Sequence, residues 1–284
     1  MKVWFSEDQT PDMRLSLRVT AVLHHEQSPY QEILVVDTPQ FGRALILDNA
    51  LQTSVVEEFV YHEMIAHVPL FGHPCPRKVL VIGGGDGGAL REVLKHSTVE
   101  EARLVEIDER VVAVAQKFLP ETSSCMADPR ARVMITDGIR HVAESEAEYD
   151  VIIVDSTDPI GPAVPLFGDE FHRSAARALR PGGIFVQQSE SPFFHQDLIR
   201  RVQRSLRGAF PWAGLYAANV PLYPGGLWTF SIAAAEPVPA RAPTERVRER
   251  GYQNFHTRYY SPAVHEAAFV LPPFVTALTE EGTA

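Results

Sequence analysis

The order of apolar and polar positions changes character near residue 77. Upstream, short apolar runs are broken at close intervals: RLSLRVTAVLHHEQS from residue 14, YQEILVVDT from 30, GRALILDN from 42 and ALQTS from 50, with Ser28-Pro29, Thr38-Pro39 and Asp48-Asn49 between them. Runs this short, bounded by Pro, Asn and Asp, predict the strands of a small antiparallel module. EFVYHEMIAHVPLF, residues 58–71, instead places Phe59, Met64, Ile65 and Val68 at helical spacing and stops before HPCP, which predicts a helix followed by a linker.

Beyond that point strand-like and helical stretches alternate. KVLVIGGG, ARLVEID, RVMITDG, YDVIIVDS and GGIFVQQSE are near-continuous apolar runs, separated by stretches of helical period such as ALREVLKH and ERVVAVAQKFL. Strands that read as unbroken Val and Ile are covered on both faces, so the fold class is α/β with a parallel sheet between helices. GLYAANVPLY and LWTFSIAAAE, joined by Pro224-Gly225-Gly226, predict an antiparallel pair. After Glu236 the chain is rich in Pro, Ala and Arg before it closes with YQNFHTRYYSPAVHEAAFVLPPFV, and no internal repeat is seen.

Composition narrows the function classes. With 284 residues, 45% hydrophobic and 22% charged, the chain can bury a large core and is neither disordered nor fibrous. No apolar stretch is long enough to cross a bilayer, and MKVWFSEDQTPDMRLSL does not read as a secretory signal; the expected address is the cytoplasm. A formal charge of -10 argues against nucleic acid and suits a cationic ligand, although acidity alone also serves solubility. Cys75 and Cys125, without a CxxC motif or a nearby His pair, make neither a disulfide framework nor a zinc site.

The chemistry concentrates at strand ends. GGGDGG, residues 83–88, follows KVLVI and opens the next helix, so Gly83, Gly85 and Gly88 have the context of a nucleoside-binding turn. Glu106, at the end of LVEID, stands where an acid takes ribose hydroxyls. Nicotinamide dinucleotides and S-adenosyl cofactors both use this arrangement. Asp86 separates them: a carboxylate inside the loop repels a pyrophosphate and the carboxylate of S-adenosylmethionine, and attracts an ammonium such as that of decarboxylated S-adenosylmethionine. The bland reading is that Asp86 caps the helix behind it. Asp137 in TDG is read equally as an adenine contact or a turn former.

DSTDPIGP, residues 155–162, sets two acids three positions apart where a buried run meets prolines. Asp158 precedes Pro159 and is kept out of helical geometry, so a loop can turn both carboxylates toward one ligand. Pro159, Pro162 and Pro165 with Gly161 suit a stiff lid with a hinge.

In order along the chain, GRALILDNALQTS, EFVYHEM, GGGDGGALREVLKH, LVEIDERVV, DSTDPIGPAVPLF, RPGGIFVQQSESPF and YPGGLWTF closely resemble the polyamine aminopropyltransferase family, over nearly the whole length from about Phe5 to Phe274. The resemblance implies an N-terminal antiparallel β domain over residues 1–57 and a seven-stranded methyltransferase-type Rossmann domain over 58–284. It implies transfer of an aminopropyl group from decarboxylated S-adenosylmethionine to putrescine, giving spermidine and methylthioadenosine, with that donor as a cosubstrate and no other cofactor or metal.

By the same resemblance Asp155 is the proton acceptor; Asp158, Asp86, His62, Tyr61, Tyr223 and Gln52 line the amine side; Gln31, Glu106, Asp137, Gly138, Pro162, Gly83 and Gly85 hold the methylthioadenosine part. The implied partners are the two small substrates and further copies of the chain, as homodimer or homotetramer. Two departures from the family pattern, Thr136 where a second acid is common and the apolar TSVVEEF run, bear on amine choice. Cadaverine, agmatine or spermidine therefore stand beside putrescine as acceptors. An amine N-methyltransferase, a non-catalytic polyamine sensor and a nicotinamide dehydrogenase are the more distant readings.

An ordinary Asp cannot deprotonate an ordinary ammonium, since pKa values of about 3.9 and about 10.4 leave a gap on the order of 9 kcal/mol. Burial of Asp155 and the nearby sulfonium are expected to narrow that gap.

Overall fold

The computed structural model describes residues 2–237 and 244–280. Strands β1 (Val3–Thr10) and β2 (Met13–Val19) form an antiparallel ribbon, and β3 (Ala21–Gln27), β4 (Glu32–Thr38), β5 (Gly42–Leu47) and β6 (Ala50–Ser54) a four-stranded antiparallel sheet. Two points differ from the sequence reading. β1 was not expected, because its only well-buried side chain is Phe5 and its remaining residues carry no clean alternation. The long run from Arg14 also divides at Thr20, whose N–H and hydroxyl donate to Asp37, so that β2 pairs with β1 and β3 with β4.

Helix α1 (Phe59–Gly72) is buried along nearly its whole length. A helix covered on every side belongs inside a core: Met64, Ile65 and Val68 pack on the large sheet, and Glu63 turns the other way, its carboxylate accepting backbone N–H groups of Arg258, Tyr259 and Tyr260 at 2.8, 2.8 and 2.7 Å. The HPCP segment is therefore a short connection inside one packed body rather than a linker. It leads to β7 (Lys78–Gly83), α2 (Gly88–Leu94), β8 (Glu101–Glu106), α3 (Glu109–Phe118), α4 (Pro120–Ser123), β9 (Ala131–Ile135), α5 (Gly138–Ala143), β10 (Tyr149–Asp155), α6 (Asp169–Ala178), β11 (Leu179–Gln188), α7 (Gln196–Ala209), β12 (Trp212–Asn219) and β13 (Leu227–Ala234).

These strands make a seven-stranded sheet in the order β12-β13-β11-β10-β7-β8-β9, parallel except for β13, which runs antiparallel to both neighbours as the Pro-Gly-Gly join predicts. Successive strand residues face opposite sides. Val79 and Val81 join the core under α1 and α2, while Leu80 and Ile82 join the core under α6 and α7. The sheet order reverses between β7 and β10, where the chain passes outward first through β8 and β9 and later through β11; the crevice beyond the strand ends at such a reversal is where ligands bind in open α/β sheets. Among the described residues no helix is long and apolar enough to cross a membrane.

Candidate active site

Register brings the sequence motifs together. Asp155 ends β10 directly beside Gly83 at the end of β7, and Glu106 ends β8 beside Ile135 of β9, which leads into Asp137. Above these ends lies a cavity of about 240 Å³. The residues expected to take the proton or hold the substrates line it: Gln31, Gln52, Tyr61, His62, Gly83, Gly85, Asp86, Glu106, Asp137, Gly138, Asp155, Asp158, Pro162 and Tyr223; Gly88, the last glycine of the loop, packs against the His62 ring instead. Thr136 and residues 53–58 are not part of its wall.

At one end the glycine loop and Glu106 form the floor. Asp86 Oδ1 accepts the Gly88 N–H at 2.8 Å, and Asp137 accepts the Ile139 N–H at 2.8 Å at the start of α5. Asp137 is thus the N-cap of α5, Asp86 braces the first N–H of α2 from just before its N-cap Gly87, and both acids also line the cavity, so the local role of each leaves room for a ligand. Burial pushes the Glu106 carboxyl up to about 7, with backbone N–H groups pulling down and the Asp108 charge pushing up. Gln31 reaches this end from the N-terminal module, held by its Nε2 donating to Asp108 at 3.0 Å, while the Ser28 hydroxyl donates to the same Asp108 oxygen at 2.6 Å.

At the centre stand His62, Asp86 and Asp155, whose ligand atoms lie within 4.8 Å of one another. Asp155 Oδ2 has no hydrogen-bond partner among the described residues. Burial raises this carboxyl to about 6; His62 opposes the shift, Asp86 adds to it, and the Tyr61 phenol facing it lowers it. For His62 burial pulls down, but Asp86, Glu58 and Asp155 prevail and raise it to about 9. Tyr61, Tyr223 and Trp228 form an aromatic wall with ring centroids 5.5 and 4.6 Å apart, and the Tyr223 hydroxyl donates to the Gln52 carbonyl at 2.6 Å.

The far end holds acids that sequence reasoning missed. Glu7 lines the cavity beside Asp158; burial raises its pKa, the Leu51 N–H lowers it and Asp158 raises it. Glu190, 1% exposed and at φ 68°, has its carboxyl raised by burial and then by Asp158, and His195 Nδ1 lies 3.3 Å from Oε2. Glu7 sits in the unforeseen first strand, and Glu190 follows a strand with only its strained backbone to mark it, so no local pattern announces either residue.

The profile of the spermine/spermidine synthase domain matches residues 58–242, and that of the spermidine synthase tetramerisation domain matches residues 3–54. The chain belongs to the spermine/spermidine synthase family. Among its relatives in that family, the polyamine aminopropyltransferase of Moorella thermoacetica is 56% identical over 98% of this chain and 96% of its own, and that of Bacillus subtilis strain 168 is 47% identical over 98% and 99%. A crystal structure of spermidine synthase in complex with the transition-state analogue AdoDATO superposes with a TM-score of 0.92 at 38% identity, covering 98% of this chain and 94% of that one. The spermidine synthase of Thermotoga maritima gives a TM-score of 0.91 at 38% identity, with the same coverage. The family's two-part fold, a small antiparallel β portion before a seven-stranded Rossmann-like sheet, is the one described above.

Proposed function

We propose that this chain transfers the aminopropyl group of decarboxylated S-adenosylmethionine to putrescine, releasing spermidine and methylthioadenosine. The observation that carries the reading is the distribution of charge: one cavity with Asp86 and Asp155 at its centre and Glu7, Asp158 and the adjoining Glu190 at its far end. Two acidic regions in one cavity suit a ligand with an ammonium at each end. Membership of the family and likeness to an AdoDATO-bound spermidine synthase support the same reading.

In this scheme Gln31, Glu106, Asp137, Gly138, Pro162, Gly83 and Gly85 hold the methylthioadenosine part, and Asp86 takes the aminopropyl ammonium. Asp158 anchors the distal ammonium of the acceptor, while Tyr61, Tyr223, Gln52 and His62 confine its near end. Asp155 removes one proton from the near ammonium. The freed nitrogen lone pair attacks the propyl carbon bonded to sulfur, the carbon–sulfur bond breaks, and its electron pair neutralises the sulfonium as methylthioadenosine leaves. With Asp155 at about 6, the proton-transfer gap to an ammonium near 10.4 shrinks to roughly 6 kcal/mol. The adjacent sulfonium narrows it further, and in-line placement of nitrogen, carbon and sulfur supplies the rest.

The cation held by Asp86 and Asp155 is an ammonium and not a metal ion in this reading. Assembly as a homotetramer through the N-terminal module fits the match to a tetramerisation domain and the exposed Val3, Trp4, Val22 and Leu23 there. The working division of the chain is 1–57 for that module and 58–284 for the catalytic part, with the cytoplasm as its address. Incubating the purified protein with decarboxylated or intact S-adenosylmethionine and a panel of putrescine, cadaverine, agmatine and spermidine, with and without EDTA, and identifying products by mass tests the reaction and its independence of metal. Spermidine and methylthioadenosine formed equally with EDTA are expected; a methylated amine from the intact donor would overturn the reading.

A further inference from the structure

His62 is positioned by groups that never reach the cavity. Its Nδ1 lies 2.6 Å from Glu58 Oε2, and Glu58 is gripped from behind by Arg91, whose Nη1 and Nη2 donate to Oε1 and Oε2 at 3.0 and 2.8 Å. Arg91 is braced in turn by Glu92 at 2.7 Å and by the Glu121 carbonyl at 3.2 Å. Glu58 immediately precedes α1 yet makes no side-chain capping bond to it, so its carboxylate is committed to Arg91 and His62. On its other side the ring presses against Gly88, where a Cβ would fall inside the imidazole. The Tyr61 ring meets it edge-on at 5.4 Å.

We propose that Glu58 and Arg91 are positioning residues, a clamp that fixes the His62 ring between Asp86 and Asp155 as a cation supplied by the protein itself. Each ring nitrogen faces a carboxylate: Nδ1 faces Glu58, and Nε2 lies 3.4 Å from Asp86 Oδ1. A neutral imidazole has one N–H and one lone pair, and the lone pair would point at negative charge on one side or the other. The doubly protonated ring satisfies both. Glu57, Glu58, Asp86 and Asp155 all face this ring, and Arg91 is the positive group beside it, already paired with Glu58 and Glu92.

Resting on the aminopropyl-transfer reading, the clamp has a specific consequence. A fixed imidazolium next to Asp155 lowers both that carboxyl and the arriving ammonium, so it keeps Asp155 ionised and ready to take a proton near neutrality, and it slightly weakens ammonium binding because like charges disfavour each other. Release of the clamp therefore lowers turnover while leaving acceptor binding equal or tighter. Loss of folded protein would instead lower kcat equally at every pH and leave the acid limb of the profile where it is.

The test is a titration of the His62 ring by NMR in the ligand-free protein, the signal assigned by its loss in His62→Gln. The wild-type ring is expected to stay protonated beyond pH 8, and in Glu58→Gln to titrate at least one pH unit lower, with Glu58→Asp recovering part of the difference. In turnover assays Glu58→Gln is expected to lose at least tenfold in kcat with no rise in acceptor KM, and the acid limb of its kcat profile to move upward in pH. A wild-type His62 titrating near 6.5, or a Glu58→Gln variant whose loss lies entirely in KM, overturns the clamp. Wild-type protein inactive toward the donor and every diamine would overturn the functional reading alone, since the titration is read without substrate.

Discussion

The carboxylate of Asp155 rests over Gly84, so closely that a Cβ at that glycine would lie 2.6 Å from Oδ2. Gly84 also holds φ at +64°, where an L side chain is strained. Gly84→Ala must move the loop or the carboxylate. The expected cost is about 2–4 kcal/mol in urea unfolding, with turnover down at least tenfold if Asp155 is the proton acceptor proposed above, since its carboxylate leaves its place. Normal turnover in this variant would show that the close approach does not matter to the reaction.

Asp155→Asn should separate activity from stability. Burial lifts the folded-state carboxyl from 3.8 to about 6 against the pull of His62, so between those values the native protein holds a proton that the unfolded chain has lost. Stability from this group is full below about pH 4 and is lost as pH rises through about 6. Asparagine removes that loss, and the ligand-free variant should be more stable than wild type by on the order of 1–3 kcal/mol at pH 8 and equal to it near pH 4. Turnover should fall by roughly 10²–10⁴. Urea midpoints across this pH range, set beside steady-state rates, check both halves.

Asp86→Asn isolates charge from capping. The side-chain oxygen that accepts the Gly88 N–H at 2.8 Å is kept, so the start of α2 should hold. The negative charge is gone, and preference for decarboxylated over intact S-adenosylmethionine should narrow by about tenfold or more, as expected for a charge-assisted contact. Calorimetry with both donors reads this directly; unchanged discrimination would assign Asp86 to capping alone.

Methylthioadenosine binding should depend on pH through Glu106. Burial raises this carboxyl to about 7 in the empty protein, and ribose hydroxyls donate best to its ionised form. Affinity is therefore expected to be level above pH 8 and to fall by up to about tenfold per unit below 7, with protons released on binding near neutrality. Glu106→Gln should bind weakly with a flat profile. Calorimetry in buffers of different ionisation heat measures affinity and proton release together.

Glu63→Gln should unlatch the C-terminal segment. The native carboxylate receives three backbone N–H groups while 1% exposed, and an amide turns a donor toward at least one of them. The expected destabilisation is about 2–4 kcal/mol, accompanied by faster amide exchange over residues 255–260. Protection equal to wild type would remove Glu63 as the anchor.

Much of this protein was written locally. Unbroken Val and Ile runs require cover on both faces, so the alternating pattern from Lys78 to Gln188 already implied a parallel sheet between helices, and the glycine loop with Glu106 and DSTDPIGP marked the strand ends that line the cavity. The Pro-Gly-Gly join foretold an antiparallel pair for the same local reason. Other features needed the folded chain. The ribbon β1–β2 has too little buried apolar surface for its sequence to declare it. Glu7 and Glu190 are ordinary acids until folding brings them beside Asp158, because a carboxyl's properties depend on burial and neighbouring charge, and both are set by residues distant in sequence. Glu58, Arg91 and His62 likewise lie on two elements whose contact only the packing of α1 on α2 creates. Side-chain types and spacing determined which chemistry was present, and tertiary packing decided the electrostatic surroundings in which each group works.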